Sequence, residues 1–167
     1  MATRSENTVT INQPAEKVHA ALTNADYWAY NATNLSPEAG EVAEFSATDG
    51  GAVVTLFEVL PLEILPEAVR AMISQALKVK RVVTVGPLTD GNAHITYDAD
   101  VKGTPVDFSG DITLAGEGGT TTLTYANEVS VNIPFMGPAI EPKVGEALGE
   151  LFTREGELVS AWITENA

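Results

Sequence analysis

From Glu41 to Ile133 apolar and polar residues alternate with a period of two, and on either side of that stretch they follow the period of a helix. The runs 41–48 and 52–60 predict two strands joined by Asp49-Gly50-Gly51, a composition that supplies the positive φ angles of a tight hairpin. The runs 79–85, 93–101, 105–114 and 121–133 predict four more, separated by Asp90-Gly91, by Gly103-Thr104-Pro105 and by the GEGG at 116–119. Upstream, Thr8 to Ile11 predicts a short first strand. Pro14 then opens a helix with Val18, Ala21 and Leu22 on one side, and a second short helix from Ala25 to about Asn31 carries Tyr27, Trp28 and Tyr30. Pro66 starts an amphipathic insert that presents Val69, Met72, Ile73, Ala76 and Leu77 on one face. Pro134 to Pro142 ends the sheet, and a long helix follows to about Glu165, with Glu141 in its first turn at the positive end of the dipole.

Short loops between the strands favour antiparallel neighbours, because parallel ones need crossovers of about a dozen residues or more. The expected fold class is therefore α+β: a curved, seven-stranded antiparallel sheet gripping a long C-terminal helix, with two short helices after the first strand. Residues 1–167 read as a single domain without repeat, low-complexity tract or linker.

The informative positions are the polar ones that interrupt apolar faces. Winding the last helix places Leu148, Leu151, Phe152, Leu158, Val159 and Trp162 on one face, with Glu155 among them. Arg81 interrupts Leu77, Val79, Val83 and Val85, and Asn127 interrupts Leu123, Tyr125, Val129 and Val131. Tyr97 and Phe108 belong to inward rows of their strands, whereas His94, Asp98, Asp100, Asp107 and Asp111 fall on the opposite, wet face. An unpaired buried carboxylate or guanidinium costs several kcal/mol, so neither Glu155 nor Arg81 persists alone in a dry core. Either Glu155 pairs with Arg81 inside, or it is a neutral acid beside Tyr and Asn, or the interior is wet at that level. Alternatively Glu155 leans out to water while Arg81 pairs with Glu58 on the neighbouring strand. Gly145, Gly149 and Gly156 border the apolar face of the helix. Each costs about 1 kcal/mol relative to alanine, which close packing explains better than space left for a ligand.

Composition narrows the function classes. Hydrophobic residues make up 44% and charged ones 19%, ordinary for a globular chain that buries a real core. The formal net charge of −14 repels nucleic-acid phosphates and anionic membrane surfaces. No apolar run approaches the roughly 18 residues that span a bilayer, so no membrane insertion is expected. The absence of cysteine fits a reducing compartment, and the expected location is cytoplasmic. The two histidines, His19 and His94, form no ligand set, and no phosphate loop or nucleophile motif is present, so neither metal nor cofactor is expected.

The N-terminal VTINQPAEKVHAALTNADYW, the strand order and the last helix ending in Leu158, Val159 and Trp162 resemble the START/SRPBCC superfamily, also called the helix-grip fold, over nearly the whole chain. GTPVDFSGDITL, IPFMGPAIE and the terminal LVSAW look like an actinobacterial family of unknown function within it. The resemblance implies an apolar cavity between sheet and long helix that takes lipids, hormones or polyketides, and in some members catalyses cyclisation or dehydration. Fold alone does not select among these uses.

The residues and the resemblance together favour binding of an apolar or amphipathic small molecule, lipid or polyketide-like. Glu155, Arg81, Asn127, Tyr97 and Tyr125 would orient its polar group, Phe108, Leu148, Phe152 and Trp162 would line the rest, and Met72 and Ile73 would belong to a lid. A cyclase or dehydratase using Glu155 as general acid or base, with Arg81 holding an enolate or carboxylate, is the second reading. A protein-partner module with a collapsed cavity is the third.

Overall fold

The computed structural model describes residues 2–34, 40–60, 77–101, 106–131 and 137–165. The expected insert from Pro66, with Met72 and Ile73, and the Gly103-Thr104-Pro105 turn lie outside them. Seven strands, β1 (Ala2–Ile11), β2 (Glu41–Ala47), β3 (Ala52–Leu60), β4 (Leu77–Val85), β5 (Asn92–Val101), β6 (Val106–Glu117) and β7 (Thr120–Val131), form one sheet in the order β1-β7-β6-β5-β4-β3-β2, and every pairing is antiparallel. Two short helices, α1 (Ala15–Leu22) and α2 (Ala25–Asn34), carry the chain from one edge strand to the other, and α3 (Gly137–Glu165) lies across the inner face. This is the expected helix-grip α+β architecture. Among the described residues no helix is long and apolar enough to cross a membrane.

The turns follow their residues. Asp90 (φ 51°) and Gly91 (φ 80°) form a two-residue loop closed by paired hydrogen bonds between Thr89 and Asn92, which suits the right-handed twist of the flanking strands. Alternation then sorts the side chains: Val54, Leu56, Val79, Val83, Ile95, Ile112, Leu114, Leu123 and Val129 are buried on the inner face, against Phe152, Val159 and Ile163 of α3.

Three expectations are corrected at the element ends. β1 starts at Ala2 rather than Thr8, because its inner row continues through Asn7 and Ser5, polar residues that carry no hydrophobic alternation. α3 starts at Gly137 rather than after Pro142: a proline in the second turn forgoes only one hydrogen bond near the helix end, so the helix runs through it. Glu141 consequently is not in the first turn. It is buried, and its carboxylate accepts the Val131 backbone N–H at 3.0 Å, tying the helix to the end of β7.

The three glycines of α3 face β1 one after another. A Cβ on Gly145 would stand 3.3 Å from Ser5 Cβ, one on Gly149 2.6 Å from Asn7 Nδ2, and one on Gly156 2.5 Å from Val9 Cγ1. Close approach of helix and edge strand thus accounts for all three. We expect Gly156→Ala to destabilise the protein by about 1–3 kcal/mol although alanine is the better helix former, since Val9 is buried and β-branched and cannot turn aside. Urea denaturation checks this. A gain of stability would show that the contact is loose.

Candidate functional site

The centre of the inner face holds a charged cluster built from four elements. β3 ends its inward row Ala52, Val54, Leu56 on Glu58, and β4 places Arg81 opposite Leu56, so that acid and base stand diagonally across the two strands. On the other side Arg81 faces Ala99 of β5, whose small side chain leaves the guanidinium room. Glu155 reaches down from α3, and Asn31 reaches in from α2. Arg81 Nη2 donates to Glu58 Oε1 at 2.6 Å and to Glu155 Oε2 at 2.5 Å, and Nη1 donates to Glu155 Oε1 at 3.3 Å. Asn31 Nδ2 donates to Glu155 Oε2 at 3.1 Å and to the Tyr27 hydroxyl at 2.9 Å. The guanidinium also lies 5.9 Å from the Trp28 ring centre, within cation–π range. Relative exposure is 4% for Glu58, 4% for Arg81 and 8% for Glu155.

Two sequence alternatives are therefore realised together: Arg81 pairs with Glu155 and with Glu58, and Glu155 does not lean out to water. Two carboxylates share one guanidinium, and the electrostatics follow from that. Burial works against the Arg81 charge, but Glu155 and then Glu58 outweigh it and hold its pKa above the ordinary value. Burial pushes the Glu58 carboxyl up, Arg81 opposes this, and the neighbouring Glu155 adds to it. Burial, with Glu155 second, also raises the Tyr27 and Tyr125 phenols, and burial raises that of Tyr97.

An acid with a raised folded pKa binds its proton more tightly when folded, so stability drawn from Glu58 is complete below the usual value of 4.5 and is lost as pH rises through the raised one. Glu58→Gln, which does not titrate and still offers Arg81 an oxygen, is expected to lose less stability than the parent as pH rises from below 4.5 toward neutrality. Melting curves across that range check it, and parallel pH profiles would reject the assignment.

Tyr97 and Asn127 form a second polar group. Across the sheet Tyr97, Gly110, Asn127 and Ser5 stand in one register row. Gly110 has no side chain, so the Tyr97 hydroxyl passes over it to donate to Asn127 Oδ1 at 2.5 Å; a Cβ there would come within 2.7 Å of the ring. Asn127 Nδ2 donates in turn to Asn7 Oδ1 at 2.7 Å. Asn127 is thus buried but bonded away from Glu155.

Between the two groups lies a void of about 20 Å³, room for a single water molecule, whose wall includes Arg81, Glu155, Trp28, Tyr97, Tyr125, Ile112 and Val159. This void among the described residues is far smaller than the roughly 300–1,000 Å³ of a usual small-molecule pocket. Side chains fill the space. Phe152 stacks on Tyr125 with ring centres 4.2 Å apart and meets Tyr97 edge-on at 5.6 Å, Phe108 meets Tyr97 at 6.2 Å, and the half-buried Trp162 meets Tyr27 at 5.9 Å. Of the expected ligand contacts, Arg81, Glu155, Tyr97 and Tyr125 reach the void, while Asn127, Phe108, Phe152 and Trp162 stand behind its wall. The Leu148 side chain lies outside the described ones.

Two buried side-chain polar atoms have no partner among the described residues, Arg81 Nε and Asn31 Oδ1. Asn31 was missed in the sequence, although its position four residues after Tyr27 puts it on the buried face of α2. Glu155 accepts hydrogen bonds from Arg81 on both carboxylate oxygens and from Asn31 on one. His19 Nε2 lies 2.8 Å from the Gly86 carbonyl, and His94 is exposed beside Asp111. Among the described residues no group of three or more His, Asp or Glu side chains is placed to hold a metal ion.

Comparison with known proteins agrees with this architecture. The chain is 30% identical over 158 residues to the uncharacterized protein Rv0481c of Mycobacterium tuberculosis, covering 90% of this chain and 91% of that one. A START superfamily protein from Mycobacterium smegmatis superposes with a TM-score of 0.57 at 13% identity, covering 98% of this chain and 99% of the other. Norcoclaurine synthase from Thalictrum flavum, solved in complex with dopamine and hydroxybenzaldehyde, superposes with a TM-score of 0.60 at 12% identity, covering 100% and 89%. At these identities the likeness establishes the helix-grip fold. Since residues 6–163 match its family description, the chain belongs to the family named "Protein of unknown function (DUF2505)".

Proposed function

We propose that the chain binds an apolar or amphipathic small molecule between the sheet and α3, with the polar group of the ligand beside Arg81 and Glu155 and its apolar body among the aromatic side chains. The observation that carries this reading is the buried Nε of Arg81, which has no partner among the described residues and belongs to a residue in the wall of the interior void. In a purely structural core such an atom costs about 1–3 kcal/mol, and a hydrogen-bonding group brought into the void relieves the cost. Related folds support the reading, as in the synthase solved with two small aromatic molecules. With so small a void, binding proceeds by displacement of side chains, so the bound state is a minor conformation that the ligand selects.

A thermal-shift and native mass-spectrometry screen with fatty acids, sterols and polyketides tests it. A ligand present at a hundred times its Kd adds about 2.7 kcal/mol, a rise of roughly 5–10 °C for a domain of this size. No shift with any class overturns the proposal. That outcome would favour a second reading, to which the close packing of Phe152 against Tyr125 and Tyr97 gives weight: a partner-binding module acting through its surface.

A further inference from the structure

The charge balance of the cluster bears on which polar group the interior accepts. Arg81 already gives both Nη2 hydrogens to the two carboxylates and one Nη1 hydrogen to Glu155, which leaves the second Nη1 hydrogen and Nε, the nitrogen that has no partner among the described residues. Counting ionised groups, Glu58 and Glu155 exceed Arg81 by one negative charge. The groups that act on the cluster from the other elements are the phenols of Tyr27 on α2, Tyr97 on β5 and Tyr125 on β7, none of them cationic. The lysines nearest in sequence, Lys78 and Lys80, alternate to the opposite face of β4.

We infer that Glu58 is a specificity-determining residue, which makes the interior select an uncharged hydroxyl- or carbonyl-bearing ligand over the carboxylate of the same skeleton. This rests on the small-molecule reading above and adds to it a ligand class. An arginine in an apolar pocket is ordinarily an anchor for carboxylates, through its forked pair of donors. Here Glu58 and Glu155 occupy that fork. A ligand carboxylate entering the void would be a third negative charge on one positive, in a place where water cannot screen it. A hydroxyl or carbonyl oxygen brings no charge and accepts from Nε. Without the Glu58 charge, the pair Arg81–Glu155 is neutral, and the penalty on a ligand carboxylate falls. This differs from the sequence reading in which Arg81 holds a carboxylate or enolate.

Two matched pairs of probes test the inference: 1-decanol against decanoate, and 2-naphthol against 2-naphthoate, titrated calorimetrically at pH 7.5 into the parent protein and into Glu58→Gln. The parent should bind the hydroxyl member of each pair at least about tenfold more tightly, and the variant should bring the ratio to about one or invert it. A purely structural role for Glu58 would weaken both members alike. Equal affinities in the parent, or an unchanged ratio in the variant, would overturn the inference while leaving the binding reading intact. Failure of all four probes to bind would remove both. If Glu58→Gln does not fold, the parent alone suffices. Its affinity for decanoate should rise about tenfold or more between pH 7.5 and pH 5, as the ligand takes up a proton and Glu58, whose pKa is raised, moves toward its neutral form, with that for 1-decanol changing far less. A flat decanoate profile overturns the inference.

Discussion

Arg81→Met is expected to lower stability by about 3–5 kcal/mol at neutral pH, a fall in Tm of roughly 10–15 °C. Methionine fills much of the space, so the loss is electrostatic: Glu58 and Glu155 are left side by side in the interior without their counter-charge. Two further results would follow from the same cause. The deficit should shrink toward pH 4, as the stranded carboxyls take up protons. Adding Glu58→Gln and Glu155→Gln to Arg81→Met should recover most of the loss, because removing a buried ionic group entirely costs far less than removing one member. Thermal and urea unfolding of the single and triple variants decide the matter. A single variant within about 1 kcal/mol of the parent would mean that water reaches the cluster.

Phe152→Ala is expected to cost about 3–5 kcal/mol, for a different reason. The ring is 1% exposed, stacked on Tyr125 and set edge-on to Tyr97, and both neighbours are also part of the wall of the small void. Deleting it removes dispersion contacts and joins a benzene-sized hole to a space that now admits one water molecule. Apolar holes of that kind stay dry and take up benzene. Saturating benzene should therefore restore part of the lost stability in the variant and leave the parent unchanged. A loss below about 2 kcal/mol would indicate that Tyr125 and Leu151 collapse into the gap.

Much of this arrangement was legible in the chain because it follows from periodicity. Strands whose inner rows are aliphatic, such as Val79 to Val85, announce themselves, and an ion among them is conspicuous; Arg81 and Glu155 were found on that ground alone. β1 was read too short because its inner row changes from Val9 and Ile11 to Asn7 and Ser5, and the reason for those small polar residues is a helix whose glycines lie more than 130 residues away in sequence. Glu58 was visible only as a competitor for Arg81, since pairwise reasoning offers a guanidinium one partner whereas its geometry serves two. Asn127 was read as a partner of Glu155 because it shares the inner face, but the bare backbone at Gly110 lets Tyr97 reach it first. The size of the void could not be read at all. It depends on how Phe152, Tyr125 and Tyr97 interdigitate, and that is a property of three elements meeting.

The seating of α3 on β1 also bears on how the protein comes to be folded. Among the described residues β1 pairs with one strand, β7, with Asn7 facing Tyr125, and the last helix packs on its inner side. Contacts of such long sequence separation make for slow folding, because loop closure has to precede the interactions that reward it. At typical rates of translation the first strand emerges roughly 10–30 s before its partners exist. Throughout that interval a nascent chain displays an unpaired strand edge, so the protein's yield in the cell should depend on chaperones far more than its equilibrium stability would suggest.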